Sequence, residues 1–484
     1  MYYRYKIIIA LLCICLVLSS CRKWVQVPPP VTNLTGTGVF QNDATAITAL
    51  NGLYVKMAQA GSFATGANSI SLCAGLSADE FDLYGGLSAS DARPYYYTNA
   101  LYTTSAKSAG TEFWPTLYNG IYACNTAIEK LGASPGLTPT VRQQLLGEAR
   151  FMRAFLYFYL VNLFGELPLA TSSDYTVNAA LSRTPVAQVY LQIKQDLLQA
   201  QQSLSASYTD ANLQPYTGPA ERVRPTRWAA TALLARVLLY MGDWVGAEAQ
   251  ATAVIDNRPF FRLMPLDSVF LKNSPEAIWQ LQPVNSGWNT EEAKVFLLPA
   301  TGPSTSNPLS LSTSLLASFA PGDQRALHWI GHASTGTTTW YFPYKYKLGT
   351  YNASVSSSAS LSEYLMMLRL GELYLMRAEA RLYQGNLSGG RTDLDSIRLR
   401  AGLATSTAQS PSDLQASLVN ERRCELFSEW GHRWLDLKRT GLVNNVMIAA
   451  TAQKGGTWNP QWQWYPLPSK DLQSDGRLVQ NPGY

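Results

Sequence analysis

The chain is expected to be mainly α-helical, a scaffold of helix hairpins carrying a large, loop-rich, partly irregular face. Three observations predict this. Long runs with apolar residues at helical spacing recur between Phe40 and Leu204 and again after Ser360. Two segments repeat one another: Ala235, Leu239, Tyr240 and Gly242-Asp243 return as Ala378, Leu382, Tyr383 and Gly385-Asn386. A small Ala lets two helices approach, Tyr packs the end, and Gly-Asp or Gly-Asn makes the tight turn, which is tetratricopeptide-like construction. Finally, Ser62–Ser108 and Pro259–Ser360 have no sustained periodicity and are rich in Gly, Ser and polar residues. Irregular stretches of that length in a compact protein are usually functional.

The N-terminus reads as an address. Arg4 and Lys6 precede an uncharged apolar run, Ile7–Leu18, then Leu18-Ser19-Ser20-Cys21. The run is shorter than the roughly 20 residues needed to span a bilayer. Residues 1–20 therefore read as a signal peptide. Small residues before a cysteine form a lipobox, in which Cys21 takes the lipid; an ordinary leader with an incidental cysteine is the alternative. Residues 21–39, with Val27-Pro28-Pro29-Pro30, read as a tether. Removing Arg4 and Lys6 from the formal charge of +5 leaves +3 without a basic cluster, which gives nucleic-acid binding no support. Beyond Cys21, only Cys73, Cys124 and Cys424 remain in the mature chain, far apart and without metal-ligand spacing, so they read as small buried hydrophobes. His328 and His332 could share a metal only on a helix, and Gly331 argues for a loop there. No metal or cofactor is expected.

The helices follow in order. Phe40–Met57 and Trp114–Leu131 are amphipathic. Val141–Phe164 is apolar nearly all round from Ala154 onward, so it should be a central packed helix, with Glu148, Arg150 and Arg153 as a salt-bridge set at its polar end. Pro185–Leu204 and the two repeated hairpins follow. Ala277–Leu281 is strand-like, and the end, Trp462–Tyr484, reads as at most a short strand plus coil. Residues 40–258 and 259–484 are read as two regions of one compact unit.

The helix from Ser410 has an N-cap, Pro411 in its first turn and Asp413 at the capping-box position. Its apolar stripe, Leu414 and Leu418, turns acidic at Glu421 and Glu425. Carboxylates on a core-facing stripe need partners. Arg433, Lys438 and Arg439 are the nearest candidates, and Gly431 is expected to end the helix so that the chain folds back. The reading is a buried ionic network that includes Glu379, Glu421, Arg422, Glu425, Arg433 and Arg439. A glycosidase pair made of Glu421 and Glu425 is the competing reading, because carboxylates one turn apart can approach the separation that retaining enzymes use. The apolar stripe and adjacent arginines favour structure over catalysis.

This stretch, Glu421-Arg422 through Gly431-His432-Arg433-Trp434-Leu435-Asp436-Leu437-Lys438-Arg439-Thr440-Gly441, closely resembles the SusD/RagB family. Arg377-Ala378-Glu379-Ala380, Arg398-Leu399-Arg400-Ala401-Gly402-Leu403 and the ending Asn481-Pro482-Gly483-Tyr484 extend the resemblance along the mature chain. It implies four tetratricopeptide-like hairpins under a binding face. It implies an outer-membrane lipoprotein, anchored through Cys21 and facing the cell exterior, that caps a SusC-like TonB-dependent transporter. It also implies binding of an oligosaccharide, or less often a peptide, without chemistry.

Sugar rings stack an apolar face on aromatic rings while polar groups orient the hydroxyls. Sorting the aromatics leaves Tyr84, Tyr95, Tyr96 and Tyr97 in the first loop region and Trp288, Trp329 and Trp340 in the second. Asp79, Glu80, Asp91 and Arg93 are the polar candidates beside them. Local loop packing is the alternative for each ring. Ser62–Ser108 and Asn285–Trp340 are expected on one side of the molecule, away from the hairpins, exposing at least two of Tyr95, Tyr96, Tyr97, Trp288, Trp329 and Trp340.

Overall fold

The computed structural model describes residues 38–104 and 106–484. The leader 1–20, Cys21 and the rest of the tether up to residue 37 lie outside the described residues. Helices of eight residues or more are α1 (Asp43–Ala58), α2 (Ile70–Ser77), α3 (Phe113–Ala133), α4 (Pro139–Phe164), α5 (Val186–Ser203), α6 (Arg227–Met241), α7 (Trp244–Ile255), α8 (Leu370–Tyr383), α9 (Leu387–Arg400), α10 (Pro411–Leu426), α11 (His432–Arg439) and α12 (Val443–Gln453). Among the described residues, ten short strands make five two-stranded antiparallel ladders. They are β1 (Phe81–Leu83), β2 (Tyr102–Thr103), β3 (Ser108–Ala109), β4 (Leu167–Pro168), β5 (Arg183–Thr184), β6 (Ala277–Leu281), β7 (Leu309–Leu311), β8 (Ile330–Thr335), β9 (Thr338–Pro343) and β10 (Leu365–Arg369).

Helices α3 to α9 stack each against the next, and α10 closes the end against α8 and α9. The two repeated hairpins show how. Gly242 takes a left-handed φ of 75° and Asp243 caps α7 through Gly246 N at 3.0 Å. Gly385, at 78°, and Asn386, which accepts from Gly389 N at 2.9 Å, do the same for α9. Trp244 stacks on Tyr383 at 4.2 Å, joining one hairpin to the next. Helix α4 is buried on nearly every face from Gly147 to Phe164. Phe155 packs edge-on against both Trp279 and Trp430 at 5.4 Å, so the central helix holds β6 and the α10–α11 connection together. The salt bridges expected at its polar end reach outward: Glu148 binds Arg224 and Arg153 binds Asp196, each at 2.6 Å.

Several local expectations are corrected. Ser62–Ser108 is not structureless: it holds α2, β1 and a short helix, Arg93–Tyr97. The segment after His328 is a β-hairpin, β8–β9, so His328 ends a short helix while His332 lies on a strand. The C-terminus forms a 3-10 turn, Pro460–Gln463, and a helix, Ser469–Ser474, in place of a strand. The capping box of Ser410 and Asp413 forms, but α10 ends at Leu426. Gly431, at φ 66°, instead begins α11. A Cβ there would stand 2.6 Å from Ala74, so the turn needs glycine for both space and backbone. Cys73, Cys124 and Cys424 are buried free thiols.

The ionic network exists, but its partners differ from those nearest in sequence. Glu425 binds Arg369 at 2.6 Å, Arg325 at 3.1 Å, and Arg400. Glu421 binds Arg325 at 2.6 Å and Arg398 at 3.4 Å. Glu276 and Glu429 share Arg369, and Glu429 also takes Lys345 at 2.5 Å. Burial alone would raise the Glu425 carboxyl, but three guanidinium groups outweigh it and hold the group far below the usual carboxylate range. Arg433 and Arg439 serve a second cluster. Arg433 and Arg423 both bind Asp79 at 2.7 Å, while Arg439 joins Glu379 to Asp436 and Arg422 takes the other oxygen of Asp436. Lys438 donates to the carbonyl of Asn162. The arginines come from distant elements because α10 buries its acidic stripe against the body of the protein rather than against the segment that follows it. Glu421 and Glu425 are thus buried and surrounded by cations.

Candidate functional site

The two loop regions meet. Strand β1 pairs with β7, Tyr84 N donates to Pro308 O at 2.8 Å, and Gly66 N donates to Glu292 at 3.2 Å. Around this junction the structure separates the expected ligand aromatics into two groups.

One group is structural. Trp329 is 0 % exposed. Its Nε1 donates to Leu266 O at 3.0 Å, and Lys345, Arg400 and Arg369 face its ring at 4.9, 5.6 and 5.9 Å. It is a wall of the ionic network and not a ligand platform. Tyr96 is buried against Phe113 and Tyr465 and donates to Glu112 at 2.7 Å. Three successive tyrosines on one helical turn cannot all face outward, and the middle one turns in. Asp79 is consumed by Arg433 and Arg423; burial opposes its charge, but the arginines hold its carboxyl below the ordinary range. Trp340 is half-buried on β9, where it packs with Leu298, Ala333 and Phe342 and covers Gly302.

The other group reaches solvent. Tyr84 is 38 % exposed, and Tyr95 and Tyr97 are half-buried. Tyr95 packs edge-on against Tyr102 at 4.8 Å, and Tyr97 donates to Asp82 at 3.3 Å under Lys454. Arg93 pairs with Asp91 at 2.5 Å and reaches Thr305 O at 3.4 Å, spanning the two regions.

Trp288 lies in the more concave place. It is half-buried beside a cleft of about 280 Å³ lined by Gln282, Asn285, Ser286, Ser356 and Ser357. Lys294 lies 4.6 Å from the ring centroid, and Tyr351, 61 % exposed, packs edge-on at 5.7 Å. Gly287, at φ 86°, lets Tyr351 approach: a Cβ would come within 2.1 Å of that ring. The short helix Glu291–Phe296, capped by Thr290, supplies Lys294 and places Glu291 to accept from Asn285 at 2.9 Å. Behind the cleft Glu292 is buried, with one oxygen on Gly66 N and the other without a partner among the described residues. Burial, with Glu291 adding to it, pushes its carboxyl up to about 8, opposed by the Gly66 bond. An aromatic ring, amides and hydroxyls around an open cleft can stack a sugar face and orient its hydroxyls.

Tyr351 and Lys294 were not singled out from sequence. Tyr351 sits in a Ser- and Gly-rich loop with no local signal, and only the turn at Gly287 brings it to Trp288. A larger groove, about 570 Å³, lies between α3, the 168–181 segment and the C-terminal helix. Two of its rings serve the scaffold: Trp114 donates to Asp471 and Tyr118 to Pro168 O.

Comparison with known proteins follows the same lines. Residues 75–239 match a family model described as starch-binding associating with outer membrane, and residues 329–484 match the SusD family model. SusD-like protein P2 of Formosa agariphila is 26 % identical over 422 residues, covering 77 % of this chain and 80 % of that one. The starch-binding protein SusD of Bacteroides thetaiotaomicron is 32 % identical over 123 residues, 24 % of this chain and 21 % of that one. The solved structure of a laminarin binding SusD-like protein superposes with a TM-score of 0.74 at 24 % identity, covering 92 % of this chain and all of the other. Surface glycan-binding protein A from Bacteroides uniformis gives 0.73 at 20 % identity, covering 91 % and 99 %. Matched in both halves, and sharing its helix stack with SusD-like structures over most of its length, the chain belongs to the SusD/RagB family.

Proposed function

We propose that the protein is a cell-surface binding lipoprotein that captures an oligosaccharide at the Trp288 cleft and passes it, unchanged, to a SusC-like TonB-dependent transporter. The cleft carries the reading: one half-buried indole beside amide and hydroxyl side chains, joined to the tyrosine-bearing first region. Family relatives named for starch, laminarin and glycan binding support the ligand class. The burial of Glu421 and Glu425 among arginines supports binding without hydrolysis.

Titration of a soluble chain starting after Pro30 against β-glucans, α-glucans and peptides tests this. Trp288→Ala is expected to weaken the glycan that binds by about 10- to 100-fold, the range of an aromatic anchor worth roughly 1–3 kcal/mol. Its melting temperature should stay nearly unchanged. Binding of peptides alone would replace the glycan reading with the peptide one.

Anchoring rests on the Leu18–Cys21 lipobox. Cys21→Ala is expected to release the protein from the outer-membrane fraction or to stall its processing. Normal retention of that variant would remove the lipid anchor from the proposal.

A further inference from the structure

The second ionic cluster has one more guanidinium than ion-paired carboxylates, and its charge closes only where the neighbouring Glu80 is ionised. It holds four guanidinium groups, Arg422, Arg423, Arg433 and Arg439, whose ion-paired carboxylates are Asp79, Glu379 and Asp436. The main network is balanced by comparison: Arg325, Arg369, Arg398, Arg400 and Lys345 face Asp323, Glu276, Glu421, Glu425 and Glu429. The open cluster also lines a cavity of about 20 Å³, room for one water-sized occupant, which approaches the surface past Gln415, Val419 and Thr440. Three polar atoms of its lining residues have no partner among the described residues: Arg422 Nη1, Arg423 Nε and Glu80 Oε1. Arg422 is 3 % exposed and Glu80 1 %. Buried donors left unpaired beside an uncompensated positive charge are costly.

We propose that this cavity is a binding site for a single monatomic anion, chloride, held by the unpartnered N–H groups of Arg422 and Arg423. The anion would close the charge of the cluster and supply the missing acceptor at the junction of α10, α11 and the 79–80 segment. Glu80 fits the same picture. Burial first, then the adjacent Asp79, pushes its carboxyl up to about 7 against the pull of Arg433, Lys345 and Arg423. In its protonated form it is a donor to the anion and not a competitor. The alternative source of the missing negative charge is Glu80 itself, ionised with the cavity holding only water. The site is independent of the glycan reading.

The test uses the soluble chain starting after Pro30. Its melting temperature is measured in sodium chloride and in sodium gluconate at equal ionic strength, and crystals are soaked in sodium bromide to locate bromide by anomalous scattering. The expected result is a saturable rise of about 2 °C in chloride over gluconate, with bromide in the cavity within hydrogen-bond distance of Arg422. Glu80→Gln, which cannot ionise, should retain the chloride effect. Equal melting temperatures in the two salts for both proteins, or a cavity free of bromide, would overturn the site.

Discussion

Glu425→Ala is expected to lower the stability of the soluble chain by about 3–5 kcal/mol, the cost of removing one partner from a buried charge network. The carboxylate is fully buried and shared by Arg325, Arg369 and Arg400. Without it three guanidinium groups converge with one fewer counter-charge. Glu425→Gln should fall between wild type and Ala, because it keeps the volume and an acceptor oxygen but loses the charge. Guanidinium unfolding followed by circular dichroism reads the difference. The carboxyl is held far below its ordinary range, so its stabilisation is present above the unfolded value of about 4.5 and is lost only as the medium becomes strongly acidic. A variant of unchanged stability that had lost a glycan-cleaving activity would restore the glycosidase reading.

Glu292 should produce the opposite pH dependence. Its folded-state carboxyl titrates near 8 against an ordinary value of 4.5. Between those values the folded protein holds a proton that the unfolded chain has released, so stability falls as pH rises. The slope is about 1.4 kcal/mol per pH unit at most, a few kcal/mol across the window, and the loss is complete above pH 8. Glu292→Gln mimics the protonated form and removes the slope. The variant and wild type should be about equally stable at pH 5, with the variant gaining at pH 6.5 and more at pH 8. Unfolding curves at these three values check it. A difference between the two proteins that does not change with pH would mean that Glu292 is ionised in the folded state. The outcome bears on the ligand cleft, since Glu292 ties the short helix carrying Lys294 to the Gly66 turn.

Much of the scaffold was legible in the chain because its signals are local. The nearly continuous apolar run of α4, the Ser410–Asp413 capping box and the two Gly-Asp and Gly-Asn turns each depend on residues a few positions apart. So does the acidic end of the α10 stripe, which demands cationic partners wherever the helix packs. The identity of those partners was not legible. Arg325, Arg369 and Arg400 lie on three other elements, and nothing in the local pattern ranks them above Arg433 or Arg439.

The aromatic loops divide in the same way. Residue type marked Tyr96, Trp288, Trp329 and Trp340 equally, since each ring suits either a ligand or a core. Only the fold placed Trp329 against three buried cations, turned Tyr96 onto Glu112, and left Trp288 open beside Tyr351. Helix periodicity, caps and turns are properties of neighbouring residues, so the chain alone establishes the helix-hairpin class and the need for a buried ionic network. Which charges meet and which rings stay wet depend on contacts between separate elements, as between Glu425 and Arg400, Arg369 and Arg325, which lie 25, 56 and 100 residues away, and these exist only once the helices have stacked.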